Sequence, residues 1–347
     1  MVGGEAAGYV APAAPQQVCI PQSSADWSWE QDVNHYPEWS YTMFNKKTLL
    51  ALLISAAAAN AMAASSEAYV AQDGNNQQAT VTQEGGAQLA LVFQDGEGNI
   101  GTTYQAGSDN RSGVYQSGNL NTAAVSQNSV NSDSTVAQSG IANNAEIKQV
   151  AANNASLVFQ TGEANNAEVT HGGGGGHYSL VTQNGFSNDA TLKQGGNANW
   201  SYITQAGNDN KANVGQYGNN NLSDVSQNGN DNVATVSQKD TGIVNADQIG
   251  TGNELRVTQG DLAVADILQT GEFNDVEIEQ KGSGNYANVD QYGQSNNAEI
   301  GQSGTDNDAY IVQSGVSNMA VAMQSGVGDL ASIIQAGSNN MATVTQK

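Results

Sequence analysis

Residues 205–216 read Gln-Ala-Gly-Asn-Asp-Asn-Lys-Ala-Asn-Val-Gly-Gln. From Asn210 onward every second residue belongs to one set, Asn210, Ala212, Val214 and Gln216, with polar or small residues in between. Alternation by two over seven residues is the pattern of a strand with one buried face. The Gln-x-Gly-x-x that precedes it predicts a tight turn, since Gly207 takes dihedrals that other residues resist. The unit is Asn-x-Ala-x-Val-x-Gln-x-Gly-x-x, eleven residues long, and it recurs.

Working outward in both directions, Gln falls on a regular beat. It stands at Gln72, Gln83, Gln94, Gln105, Gln116, Gln127, Gln138, Gln149 and Gln160; His171 takes the next beat, and one extra residue follows. The beat resumes at Gln183, Gln194, Gln205, Gln216, Gln227 and Gln238, passes through Gln248, Gln259 and Gln269 with two ten-residue steps, and runs on through Gln280, Gln291, Gln302, Gln313, Gln324, Gln335 and Gln346. Of 26 beats, 25 are Gln. Val, Ile or Leu stands two residues earlier in 23 of them, and Asn stands six earlier in 18, among them Asn110, Asn121, Asn210, Asn232, Asn296 and Asn340.

A strand-and-turn unit repeated this often cannot bury its face alone and must stack on its neighbours. The pattern therefore predicts an all-β chain: a β-solenoid with two strands per coil, about 13 coils of 22 residues and 26 strands. At ~4.8 Å between strands the stack is roughly 60 Å long. Strands crossing the flattened coil in opposite directions set Asn against Gln and Ala against Val, so each layer pairs small with large. The inward amides need partners, because an unpaired buried amide costs about 1–3 kcal/mol. Gln above Gln and Asn above Asn satisfy that need as ladders along the axis, the arrangement of cross-β assemblies. The Gln and Asn residues named above are thus the candidate self-assembly ladder.

Bulk composition points the other way. With 12% charged and 6% aromatic residues, 40 Gly and a net charge of −23, the chain reads as a polar disordered polymer. A disordered Asn/Gln-rich tract needs no register, however, and this one places its residues strictly. From Ala64 onward there are 28 acidic and eight basic residues, a net of −20, and of these only Asp329 takes an inward strand position. None of the nine Tyr, four Phe or single Trp of that stretch does so either, as expected of a thin interior. The acidic balance argues against nucleic acid as a partner. A single cysteine, Cys19, leaves no disulfide framework and no Cys-based metal site.

The first 63 residues are different material. All four Pro, Cys19 and three of the four Trp precede Met43. A basic start at Met43–Lys47, an apolar run from Leu49 to Ala59 and the ending Ala61-Met62-Ala63 form a secretory signal peptide, residues 43–63, with cleavage before Ala64. A transmembrane anchor would need ~20 apolar residues, about twice this run. Residues 1–42 then form an upstream segment, either a start codon set too early or a true extension. The expected organisation is 1–42 upstream, 43–63 signal peptide and 64–347 repeat.

The pattern Gln-x-Gly-x-x-Asn-x-Ala-x-x-x-Gln, as in Gln205–Gln216 and Gln335–Gln346, resembles the curlin repeat, and the resemblance covers residues 66–346. That family comprises the secreted subunits of curli, the bacterial amyloid fibres of biofilm matrix. The resemblance implies a solenoid subunit exported through an outer-membrane pore and polymerised at the cell surface of a Gram-negative-type bacterium. It also implies partners: copies of itself, a second curlin that nucleates or co-polymerises, the pore and its accessory factors. The chain departs from the family in being much longer than five-repeat subunits, in having two half-repeats that look alike, and in lacking a Gly-rich tail after Ala64. Alike half-repeats resemble the nucleating subunit; the acidic balance resembles the major one.

Good repeats at both ends, Ser66–Gln72 and Asn340–Gln346, predict end-on, head-to-tail stacking, with outward acids acting as a brake on early assembly. No pattern supports catalysis or a cofactor. His171, the glycines 172–176 and His177 mark an inserted turn; a metal loop is the alternative, but no fixed acid or Cys stands beside it. Outward aromatics such as Tyr69, Tyr202, Tyr310 and Trp200 read as strand-surface residues or as bundling contacts. The competing function is a monomeric secreted solenoid that binds ice, glycan or surfaces. That role wants a flat ladder of one residue type outside, and the outward positions here are mixed.

Overall fold

The computed structural model describes residues 66–347, and every regular element in that range is a strand. The upstream segment 1–42 and the signal peptide 43–63 lie outside the described residues. One sheet holds β1 (Glu67–Asn75), β3 (Leu89–Glu97), β5 (Arg111–Asn119), β7 (Asp133–Ile141), β9 (Ala155–Glu163), β11 (Tyr178–Phe186), β13 (Trp200–Asn208), β15 (Leu222–Asn230), β17 (Ile243–Thr251), β19 (Val264–Glu272), β21 (Tyr286–Gln294), β23 (Asp308–Val316) and β25 (Leu330–Ser338). The other holds β2 (Gln78–Gly86), β4 (Ile100–Ser108), β6 (Thr122–Val130), β8 (Asn144–Gln149), β10 (Asn166–His171), β12 (Asp189–Asn197), β14 (Lys211–Asn219), β16 (Val233–Lys239), β18 (Glu254–Asp261), β20 (Asp275–Ser283), β22 (Asn297–Thr305), β24 (Met319–Gln324) and β26 (Met341–Gln346). Strands alternate between the sheets, so two strands and two corners close each coil. The result is a β-solenoid of 26 strands in two 13-stranded parallel sheets.

Register follows the beat. Gln205 of β13 lies beside Gln183 of β11 and Gln227 of β15, and Val214 of β14 lies beside Leu192 and Val236. Because equivalent residues stack, the strands inside the stack repeat an alternation of burial seen cleanly in β14: Ala212, Val214 and Gln216 are buried, while Lys211, Asn213 and Tyr217 are exposed; β3 and β5 bury outward residues as well. The two inner faces share one continuous core of Val, Ile, Leu and Ala from Val92 to Ile333. Parallel sheets with both strand edges paired in-line leave few backbone groups orphaned along the stack.

The turn residues were placed by sequence at the glycine, and the structure corrects this. Strands run on past Gln: Gly207 lies inside β13, and the left-handed residue is Asp209 (φ 54°), two positions later. The same left-handed corner is taken by non-glycine residues such as Asn76, Leu120, Asn220 and Phe273. Gly207 is needed for two other reasons. Its φ of +114° resists an L side chain, and a β-carbon there would run into the carbonyl oxygen of Gly229 in the next coil. Likewise the Asn six before each Gln sits at the corner, one residue ahead of its strand. The ten-residue steps are absorbed at such corners, as where Asp240 and Thr241 both take positive φ.

Candidate functional site

The inward amides form ladders, and the ladders have direction. In the odd-numbered sheet each Gln Nε2 donates to Oε1 of the Gln one coil later, without a break from Gln72 → Gln94 (2.7 Å) through Gln205 → Gln227 (2.8 Å) to Gln313 → Gln335 (2.9 Å). The second Nε2 hydrogen goes to a backbone carbonyl of the facing sheet, as Gln205 to Asp189 O at 3.0 Å. A carbonyl can only accept, so this anchor fixes which end of the carboxamide is the donor.

The Asn ladder runs the opposite way. At the corners before the even strands, Nδ2 of the later Asn donates to Oδ1 of the earlier one: Asn121 to Asn99 (3.1 Å), Asn210 to Asn188 (3.0 Å), Asn232 to Asn210 (3.0 Å), Asn296 to Asn274 (3.1 Å) and Asn340 to Asn318 (2.9 Å). The same Oδ1 takes the backbone N–H of the later Asn, and Nδ2 also bonds a glycine carbonyl of the next coil, as Asn210 to Gly229 O at 2.8 Å. One side chain thereby satisfies the corner's polar backbone, which explains why Asn is preferred there.

Not every candidate belongs to a ladder of its own kind. Asn110 stands in the odd column, between Gln88 and Ser132, and its Oδ1 accepts from Ser129 Oγ and from the Ser132 N–H, not from another Asn. That column also holds Gly242, Ala263 and Asp329, whose Oδ2 is buried without a partner.

Sequence reading treated His171–His177 as an inserted turn. The structure places both imidazoles in the interior, His171 on the Gln beat and His177 in an Asn corner position. Their ring centroids are 5.5 Å apart. Burial, and then His177, hold the His171 pKa down to about 3; burial also lowers that of His177, with its backbone contacts acting the other way. Among the described residues no group of three or more His, Cys, Asp or Glu gathers as for a metal ion.

The outer faces are less mixed than the sequence suggested. On β3–β13 of the odd sheet the outward positions carry Phe93, Tyr115, Phe159, Tyr178, Trp200 and Tyr202, with Arg111 beside Asp133 and the acids Asp95, Glu97 and Glu163 toward the strand ends. Phe93 and Tyr115 stack at 5.6 Å with planes 2° apart, and Tyr115 is buried beside Ala137 and Phe159. The even sheet presents Glu146, Lys148, Glu168, Asp189, Lys193 and Lys211 over the same coils. Splitting the beats into odd and even would have revealed this in the sequence.

A parallel two-sheet solenoid whose interior is tied by directional amide ladders is a structural repeat protein. The curlin associated repeat matches residues 187–218, 264–293, 284–315 and 315–347, all in the C-terminal half. These four stretches carry the curlin repeat, which supports membership of the curlin-repeat family. No curated protein matches it significantly in sequence.

Proposed function

We propose that the chain is a structural subunit of extracellular, curli-like fibres, in which copies add coil on coil, head to tail. The observation that carries this reading is the opposed direction of the two ladders. Gln335 and Gln346 lead with an N–H toward the next coil, whereas Gln72 and Gln83 at the other end of the same columns lead with Oε1. A copy stacked head to tail continues both ladders; a copy stacked head to head sets donor against donor. The contact is heterologous and open, the kind that makes filaments rather than closed rings.

On this reading residues 43–63 lead the chain out of the cytoplasm, and the partners are further copies, a nucleating curlin, and an outer-membrane pore with its accessory factors. The fibre serves biofilm matrix and surface adhesion, and the outward acids delay stacking until export is complete. Negative-stain microscopy and fibre diffraction of the purified chain test it. Unbranched filaments with a reflection near 4.7–4.8 Å along the axis are expected. Discrete particles ~60 Å long with no cross-β reflection would overturn it in favour of a monomeric surface-binding solenoid.

A further inference from the structure

Among the described residues the Gln ladders are interrupted at one place. In the even sheet the Gln ladder runs Gln83 → Gln105 → Gln127 → Gln149, then stops, and restarts at Gln194 → Gln216. His171 occupies the missing rung. Its ring hydrogen-bonds neither the Gln149 carboxamide on one side nor that of Gln194 on the other. Gln149 Nε2 turns aside to Ser156 Oγ (2.9 Å), and Ser156 Oγ meets His171 Nδ1 at 3.4 Å. His171 Nε2 and Gln194 Oε1 are both left buried without a partner.

His177 fits its position better, and only in one protonation state. Its backbone N–H donates to Asn154 Oδ1 (3.0 Å), as an Asn would. Its Nδ1 replaces the Asn Oδ1 by accepting the Asn199 N–H at 3.3 Å, while Nε2 donates to Gly172 O at 3.1 Å. Nδ1 therefore holds a lone pair, and a proton there would face the Asn199 N–H. The glycines at 172–176 between the two rings carry the inserted residue and are tied by backbone bonds to Ala152, Gln194 and Gly196 of the adjacent coils.

We propose that the coil around His171 and His177 is a proton-operated seam: with both imidazoles neutral the thirteen coils hold as one stack, and protonation opens the stack there while the coils on either side stay folded. Groups facing the rings come from every neighbouring element: Gln149 of β8, Asn154 and Ser156 at β9, Gln194 of β12 and Asn199 before β13. None of these titrates. The charged groups of the same strands, Glu146, Lys148, Glu163, Glu168, Asp189 and Lys193, are not among the buried residues. A proton gained inside thus meets no counter-charge.

The sign follows from burial. Both imidazoles bind a proton less readily in the fold than in the unfolded chain, where the value is about 6.5. Their contribution to stability is complete above about pH 6.5 and is lost progressively below it. This inference does not depend on fibre formation, since it concerns the coil within one chain.

Hydrogen–deuterium exchange on the full chain at pH 7 and pH 5 is the test, with the double variant His171→Gln and His177→Asn as comparison. These residues restore the Gln and Asn of the repeat. Wild type should lose protection first around residues 149–199 at pH 5, and the variant should keep it. Loss beginning elsewhere, or equal loss in the variant, overturns the seam. In urea, the variant's folding constant relative to wild type should be flat above pH 6.5 and grow by up to about tenfold per pH unit per imidazole below it; a ratio flat throughout overturns it too. Should the double variant not fold, His171→Gln alone serves, alongside imidazole nuclear resonance of wild type. A charged His171 within a protected coil would refute the proposal.

Discussion

The step from Gln194 to Gln216 and the step from Gln149 through His171 to Gln194 share parallel strand pairing and differ in their interiors. In both, strands pair in parallel without a slip of register. In the first, the carboxamides bond at 2.7 Å; in the second, one rung is a ring and two buried atoms go without partners. Backbone pairing alone therefore suffices to continue a coil, and the side-chain ladder adds a layer of continuity that can be present or absent locally. Where it is absent, the coil carries the cost of unsatisfied polar groups, on the order of 1–3 kcal/mol each.

The regular step can be broken in ways of graded severity. Val214→Asp should have the largest effect, more than about 4 kcal/mol, because it buries a charge with no partner in a closed core. Urea denaturation would read the loss, and exchange should show it confined to coils near β14. Gln216→Ala should cost about 1–3 kcal/mol by the same measurement. It strands the second Gln194 hydrogen, Gln238 no longer receives its donor, and the Trp200 carbonyl loses its bond. This change would make a regular coil resemble the one at His171.

A smaller effect should come from the outer coat. Burial first, and neighbouring acids second, raise the pKa of Asp224, Asp275, Asp290 and Asp308; burial also raises that of Asp133, with Arg111 opposing. Raised acid values mean that the fold binds protons more readily than the unfolded chain. These groups therefore add stability as pH falls through their raised values toward 3.8 and nothing more below it. A shorter polymerisation lag in mild acid and in higher salt is expected by dye-binding kinetics. The lag should shorten further in acid when His171 is replaced by Gln, since the opposing titration is then removed. Unchanged lag under both conditions would exclude the acids as a brake. Tyr217→Ala, on the exposed face of β14, should change stability by less than about 0.5 kcal/mol and leave the regular step intact.

Much of this was legible before any coordinates. The eleven-residue beat, the alternation from Asn210 to Gln216 and the exclusion of rings from inward positions are local statements about side chains, and a strand exposes them directly. The role of Gly207 was not legible in the same way. Its constraint comes from Gly229, twenty-two residues away, and a turn was the more obvious use for a glycine. His171 is on the beat in the sequence already; His177 is the one hidden, because a glycine run suggests a loop, yet it falls on an inward position once the extra residue is counted. Asn110 matched the repeat in sequence, but its column neighbours are Gln88 and Ser132, so no Asn ladder forms through it.

Sequence by itself determined the class of fold, because the period sets the coil and the alternation sets the buried face. It also determined that amides line the interior, since Asn and Gln recur where the pattern turns inward. Tertiary structure alone decided the direction of each ladder, because direction depends on which backbone carbonyl anchors the amide nitrogen. It decided that the glycine is a contact between coils and not a corner. And it decided that one coil is closed by two imidazoles, a fact that requires the position of Gln149, Asn154, Gln194 and Asn199 around them. Periodicity names the residues that stack; only the packed coils settle which atom of each meets which.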